Sequence, residues 1–552
     1  MYHMQPYLTV DSFLRHAETY MPHLAASLSS LSPEKVAQAL TAKSCCEEHS
    51  YEKLEWLGDA VLKMVQTDSL LYSTDFSEWI HFLHEGDLST LRSVMGCNDR
   101  LAAVCQDLKI DQFVITAPLG RGQWAPSSLE LYTPSTAGLD DGEGAVEMES
   151  VSQKTFADVI ESLLGLVYLT SGYDKATLAA DELQVTLARN KELNAPMERQ
   201  LSVSPGKLAA ARALTGHKNF HRQDLVQEAF THPTAVNPAT PSYQRLEWIG
   251  DALLCLKARE WIYTTFPEME VGQMVAIEAS LVSNETLAYI AIRHGLLKHL
   301  DHCDQTLPGR IENYERRARE LQRGLWSTNP PKTAADVVES VIGAVYMDSG
   351  FAFGMQAVGH ILSPLFQVLE KLYAEDKNLM MMHPKKEMLE IAGSLLTVKV
   401  AREEDFATQQ PTTCVWLGKE WGKASTEGQG MYVGFIECLG INVVSVLDSS
   451  CEVAQNRACA LVVDMMKRYP DLLDRVQKGR YLLESSCGRE EKQRNSEESP
   501  DETDYNISNQ NNNPVAEIAQ QESARSVTMN DLDPEERKGL LWEVDENLHG
   551  WI

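Results

Sequence analysis

A twelve-residue phrase written twice constrains this chain more than any other feature. Tyr51 to Leu62 reads Tyr-Glu-Lys-Leu-Glu-Trp-Leu-Gly-Asp-Ala-Val-Leu, and Tyr243 to Leu254 reads Tyr-Gln-Arg-Leu-Glu-Trp-Ile-Gly-Asp-Ala-Leu-Leu. Self-similarity at a separation of about 190 residues marks a duplicated unit. In each copy two acids stand i, i+4 on a predicted helix, Glu55 with Asp59 and Glu247 with Asp251. Both carboxylates of a pair leave one face a turn apart, while Leu246, Ile249, Leu253 and Leu254 can point into a core. An isolated Glu-x-x-x-Asp is more often a solvated acidic face. Repetition beside an apolar stripe points instead to a cation site, and carboxylate oxygens suit Mg²⁺ or Mn²⁺.

Each phrase has a downstream companion. Phe156 to Gly172 contains Ala-Asp-Val-Ile-Glu-Ser-Leu-Leu-Gly-Leu-Val-Tyr, and Thr333 to Gly350 contains Ala-Asp-Val-Val-Glu-Ser-Val-Ile-Gly-Ala-Val-Tyr. Asp158 with Glu161, and Asp336 with Glu339, form i, i+3 pairs on otherwise apolar helices. Carboxylates on such a face need a cation or a partner, because burying an unpaired charge is costly.

The Leu-Glu-Trp-(Leu/Ile)-Gly-Asp-Ala phrase followed by Ala-Asp-Val-(Ile/Val)-Glu-Ser resembles the paired signatures of ribonuclease III. Two copies in one chain, with Tyr-Gln-Arg-Leu-Glu in the second and Pro331-Lys332 before its Asp-x-x-Glu, resemble the C-terminal half of the Dicer family over about residues 10 to 375, and weakly to about 478. The resemblance implies a mainly α fold, with two all-helical nuclease domains forming an intramolecular dimer about a pseudo-twofold axis. It implies a metal-dependent endoribonuclease acting on double-stranded RNA, leaving 5′-phosphate and 3′-hydroxyl ends, and a place in RNA silencing and antiviral defence. Duplex-RNA-binding or small-RNA-loading proteins are the further partners it suggests, around a monomeric chain. One metal site would comprise Glu55, Asp59, Asp158 and Glu161, and the other Glu247, Asp251, Asp336 and Glu339.

Composition is compatible with this. At 552 residues the prior is about three to four domains, and 43% hydrophobic residues suffice for sizeable cores. The 11 cysteines show no Cys-x-x-Cys pairing, so reduced core thiols are expected rather than zinc or disulfides. The opening Met1 to Val10 lacks a signal-peptide pattern, and no apolar run stands out as a membrane span, so an intracellular, cytoplasmic protein without a membrane partner is expected. A net charge of −30 argues against gripping RNA by bulk electrostatics. From Tyr481 to Ile552 there are 17 acidic against 6 basic residues, so −11 of that charge lies outside any predicted core.

The expected organisation is a connector helix over 1–30, with Pro22 kinking or restarting it, nuclease domain A over 31–200 and domain B over 201–375. A degenerate double-stranded-RNA-binding-like domain follows over 383–478, then an acidic disordered tail over 479–552. The Gly- and acid-rich stretch 118–151 reads as a loop insertion. In the small domain the pattern predicts helix 385–393, strands 395–401, 412–422 and 431–437, and a helix from Cys451 to Arg468. That last helix opens with Arg457 as its only cation, which favours packing or partner binding over RNA binding.

Other residues divide by chemistry. His232 precedes a turn and is expected to be a structural hydrogen-bonder rather than an acid or base. The acids of His84-Glu85-Gly86-Asp87 are expected to orient helices or water rather than ligate. Glu52 in the first copy faces Gln244 in the second, so no charge is obligatory there. Lys154 and Lys332, each ahead of its Asp-x-x-Glu, could hold the scissile phosphate or the leaving oxygen, or else pair with a neighbouring acid. A rival from another class is a silent scaffold that only binds duplex RNA, but decay should have removed ligand acids from one copy, and all eight are present. A Drosha-like processor is the rival within the same chemistry.

Overall fold

A computed structural model describes residues 5–45, 50–74, 83–116, 152–189, 203–235, 241–319, 328–377, 383–402, 432–438, 441–448, 450–468 and 473. The insertion expected over 118–151, the strand expected over 412–422 and the acidic tail lie outside these residues.

Helix α1 (Gln5–Tyr20) ends just before Pro22, whose ring cannot continue a helix but suits a first turn, so α2 (Pro22–Leu28) starts there. The Glu182 carboxylate accepts from the His23 and Leu24 amides at 2.9 Å, satisfying donors that a helix start leaves open. Domain A continues through α3 (Pro33–Leu40), α4 (Glu52–Leu71), α5 (Glu85–Met95), α6 (Asn98–Asp107), α7 (Gln153–Ser171) and α8 (Tyr173–Glu182). Domain B repeats the plan with α9 (Pro205–Thr215), α10 (Gln223–Ala229), α11 (Gln244–Thr265), α12 (Val271–Leu281), α13 (Asn284–Arg293), α14 (Leu307–Arg319), α15 (Lys332–Ser349) and α16 (Phe351–Glu375). Side-chain caps set several starts: Ser152, Ser204 and Ser283 accept amides of the first turn, and Glu270 with Gln273 forms a capping box. The turns from α7 to α8 and from α15 to α16 both use a glycine at positive φ, Gly172 at +81° and Gly350 at +86°.

In each domain one long helix pair forms the centre, α4 against α7 and α11 against α15. The two domains meet through α4 and α11, with α5 reaching α11 and α12 reaching α4. Equivalent residues meet across this face. Tyr173 and Phe351, each following its turn glycine, stack on one another with ring centroids 3.8 Å apart, as a pseudo-twofold axis requires. Tyr168 donates to Glu260 at 2.8 Å, and its counterpart Tyr346 donates to Asp68, the counterpart of Glu260.

The stretch Val271–Arg293 and helix Phe351–Glu375 have the length and apolarity of a membrane span, contrary to the sequence expectation. Both are packed within domain B: α12 lies on α11, α13 on α15, and α16 on α15, α11 and α9. Helices facing several neighbours need apolar residues on more than one side, and that is what produces the long runs.

A second unit contains α17 (Pro384–Ala392), β1 (Leu396–Arg402), β2 (Tyr432–Cys438), β3 (Ile441–Asp448) and α18 (Cys451–Arg468). The strands form an antiparallel sheet in the order β1-β2-β3, with Leu396 opposite Cys438 and Tyr432 opposite Asp448. Its core joins Met388, Leu396, Ile436, Ala458, Val462 and Val463. The helix–strands–helix order matches expectation, but β3 was not foreseen: Ile-Asn-Val-Val-Ser-Val-Leu-Asp is a β-branched run that follows β2 closely enough to pair with it as a hairpin. Arg457 is held by Asp448 at 3.0 Å rather than presented free.

Candidate metal and phosphodiester site

The acid pairs are brought together by glycines where the central helices cross. A Cβ built on Gly58 would lie 1.8 Å from the Glu161 carbonyl oxygen, and one on Gly165 would lie 2.4 Å from that of Leu54. The second copy repeats this, with Gly250 against Glu339 at 1.8 Å and Gly343 against Leu246 at 2.0 Å. Only hydrogen fits between these backbones, and the close approach places Glu55 next to Asp158 and Glu161. Ser162 and Ser340 anchor the same helices to their surroundings by donating to the carbonyls of Ala39 and Ala229, at 2.5 and 2.8 Å.

Glu55, Asp158 and Glu161 offer carboxylate oxygens within 4.8 Å of one another, and so do Glu247, Asp336 and Glu339. Lys154 bridges the first group, reaching Glu55 at 2.9 Å and Asp158 at 2.7 Å; Lys332 bridges the second, reaching Glu247 at 2.5 Å and Asp336 at 2.9 Å. Tyr51 and Tyr243 donate to the remaining oxygens of Asp158 and Asp336 at 3.0 and 2.9 Å. Both lysine side chains are more than half exposed, at 61% and 63%, so their ammonium groups can leave the acids for a substrate phosphate.

One lysine does not compensate three acids. Burial, followed by the charges of Asp59, Glu55 and Asp158, pushes Glu161 up to about 9. Burial and the Asp336 charge push Glu247 up to about 7, and burial with the Asp251 charge raises Glu339 well above the usual range. Glu55 is raised mainly by burial, against the pull of Lys154. Burial draws Lys154 and Lys332 down, but their hydrogen bonds to the acids outweigh it and both end up raised. An all-oxygen cluster that holds protons for want of positive charge fits a hard divalent cation.

These shifts give a signed pH dependence. An unfolded glutamate loses its proton near 4.5, whereas folded Glu161 keeps it to about 9. Between those values the folded chain binds more protons, so stability falls as pH rises; Glu247 and Glu339 act the same way, and the two lysines stay charged throughout. Without divalent ions the melting temperature should fall from about pH 5 to about pH 8, with Glu161 alone contributing at most ~4 kcal/mol. Added Mg²⁺ or Mn²⁺ should raise it most at the alkaline end. A calorimetric series with equal metal effects at both pH values would contradict the cluster's electrostatics.

The fourth acid of each predicted set is oriented differently. Asp59 is the largest charge acting on Glu161, yet its carboxylate is paired at 2.7 Å with Arg259 of domain B. Asp251 is paired at 2.9 Å with Lys63 of domain A, and Arg92 stands at 3.8 Å. Three acids therefore converge in each copy, and the fourth faces the opposite domain. His232 hydrogen-bonds Thr234 at 2.8 Å, and burial lowers its pKa, as suits a structural role. His84 pairs with Asp87 at 3.0 Å, and Glu85 accepts from Ser89 at 2.9 Å, so these acids support α5. Sequence reasoning missed the four crossing glycines and the cross-domain cations Lys63, Arg92 and Arg259. The signal available for the cations was asymmetry, since they stand where the other copy has Cys255, Glu278 and Thr67.

Comparison with known proteins agrees with this geometry. The Ribonuclease III domain family matches residues 52–172 and 244–350. Endoribonuclease Dicer homolog 2b of Oryza sativa is 29% identical over 57% of this chain and 23% of its own length. Endoribonuclease Dicer homolog 1 of Arabidopsis thaliana is 27% identical over 69% and 22%, and Dicer-like protein 1 of Aspergillus niger 28% over 55% and 21%. The chain thus spans between a fifth and a quarter of the length of these curated relatives. With its two signature helix pairs, two carboxylate clusters and paired domains, it is a tandem ribonuclease III-domain protein similar to the Dicer homologues of plants and fungi.

Proposed function

We propose that the paired domains cut both strands of double-stranded RNA, one strand at each carboxylate cluster, leaving 5′-phosphate and 3′-hydroxyl ends. The observation that carries this reading is the duplicated three-acid cluster with its bridging lysine, set in two domains related by a pseudo-twofold axis. A duplex has two backbones of opposite polarity, and two sites related in that way can address one each. Glu55, Asp158 and Glu161, with Asp59 beside them, and their counterparts Glu247, Asp336 and Glu339, with Asp251, would hold Mg²⁺ or Mn²⁺. The ion would supply a Lewis acid for the phosphodiester and acidify the attacking water. Tyr51 and Tyr243 fix the orientation of Asp158 and Asp336. Lys154 and Lys332, both more than half exposed, would be placed to reach the departing oxygen or the phosphate. Six carboxylates retained in ligand geometry favour catalysis over a silent scaffold.

The relatives' Dicer names support a place in RNA silencing and Dicer over a Drosha-like role; short duplex products, with antiviral defence as one use, are part of the same proposal. A reducing, cytoplasmic setting belongs to the same proposal. Digesting a long uniform duplex RNA with and without Mg²⁺, then sizing the products and probing their 5′ ends with phosphatase, tests the reading. Short duplexes that appear only with metal are expected. Undiminished cutting after exhaustive chelation would overturn it.

A further inference from the structure

Two rows of charge run through the face between the domains, and they differ in a way that the shared fold does not demand. On one side of the pseudo-twofold axis Arg259 lies over the Trp56 ring at 5.4 Å and pairs with Asp59 and with Glu278, both at 2.7 Å. Trp56 Nε1 donates to the second oxygen of Glu278 at 3.1 Å. On the other side Arg92 lies over the Trp248 ring at 4.9 Å, donates to Thr67 at 3.0 Å and approaches Asp251, which Lys63 holds at 2.9 Å. Trp248 Nε1, the counterpart of the Trp56 donor, is buried and has no hydrogen-bond partner, because the position that supplies Glu278 on one side supplies Arg92 on the other. Lys63 and Cys255, equivalent positions on α4 and α11, touch at 3.3 Å and join the two rows.

We propose that this face is a charge key that fits domain A to domain B and rejects a second copy of either. As observed, three cations (Lys63, Arg92, Arg259) meet three anions (Asp59, Asp251, Glu278). Pairing domain A with another domain A would set two copies of Lys63 and Arg92 against two of Asp59, four cations against two anions, with Lys63 meeting Lys63 where it now meets Cys255. Pairing domain B with itself would set two copies of Asp251 and Glu278 against two of Arg259, four anions against two cations. Arg92, Arg259 and Glu278 are only 10–15% exposed, so such an imbalance is costly there, and like charges across an interface suppress the wrong partner. The symmetric contacts, Tyr168 with Glu260 and Tyr346 with Asp68, do not discriminate, so selectivity falls on the asymmetric positions. This inference concerns assembly and would stand even if the chain cut no RNA.

Exchanging the two distinguishing charges in the full chain tests it. Arg92→Glu alone leaves two excess anions at the face, and Glu278→Arg alone leaves two excess cations. The double substitution restores balance and exchanges the two rows, giving Trp248 Nε1 an acceptor and placing two cations beside Asp59. Each single variant should melt well below the native chain, and the double should recover about half or more of the summed loss, a non-additivity expected only of coupled charges. Should a reversal fail to fold, Arg92→Gln, Glu278→Gln and their combination repeat the cycle with smaller steps. Losses that simply add in the double variant, in whichever cycle folds, would overturn the charge key and leave these residues as independent local contacts.

Discussion

Glu161→Gln is expected to leave a duplex RNA nicked on one strand, Glu339→Gln to leave it nicked on the other, and only the double substitution to be inert. Glu161 keeps its proton to about 9, so near neutral pH without metal its carboxyl is uncharged, and burial with the Asp251 charge raises Glu339 in the same direction, well above the usual range. Glutamine has nearly the same shape and the same neutrality, so the fold should tolerate the exchange. What it cannot do is give up a proton and become the anionic ligand that a divalent ion needs. Cutting at the altered site should fall at least ~100-fold, about 2.7 kcal/mol of barrier, with the other site nearly unaffected. Strand-specific end-labelling on a denaturing gel reads both strands separately. If either single variant lost both cuts, the clusters would have to act as one composite site, and the reading of one site per strand would fail.

The acids were legible because helical spacing is local. Glu55, Asp158 and Glu161 follow from i, i+3 and i, i+4 arithmetic, and duplication separates them from ordinary surface charge. What spacing could not show is where an acid turns once a second domain is packed against it. Asp59 and Asp251 stand beside Glu161 and Glu339, yet each also pairs with a cation about 200 residues away, because only the folded face brings α4 beside α11. In the small domain, where the helix–strands–helix order was legible, β3 alone went unread, for a different reason. Strand β3 and the predicted strand at 431–437 lie so close in sequence that the hydrophobic pattern gave no clear break between them, whereas pairing partners decide strands. The two membrane-length runs show the same limit, since apolarity along a helix does not say whether protein or lipid surrounds it.

Gly58→Ala and Gly250→Ala are expected to be among the most damaging single-atom changes in the chain, although both glycines sit in helices where alanine is intrinsically better. The propensity gain is about 1 kcal/mol. Against it, the new methyl carbon would lie 1.8 Å from a backbone carbonyl oxygen, of Glu161 in one case and Glu339 in the other, and 2.5 to 2.6 Å from the carbonyl carbon. No rotamer change relieves a clash with main chain, so α7 or α15 must shift bodily, and overpacking of this kind costs roughly 3 kcal/mol or more. The net loss of at least ~2 kcal/mol corresponds to several degrees in melting temperature for a domain of this size. The same shift moves Glu161 away from Glu55, so divalent-ion stabilisation should weaken with it, and in Gly58→Ala the strand cut by domain A should be lost first. Gly86→Ala is the control, because a Cβ there meets nothing within 4 Å. Scanning calorimetry of all three variants with and without Mg²⁺ decides the matter: if Gly58→Ala melted like Gly86→Ala, glycine would not be what sets the distance between the helices that carry the acids.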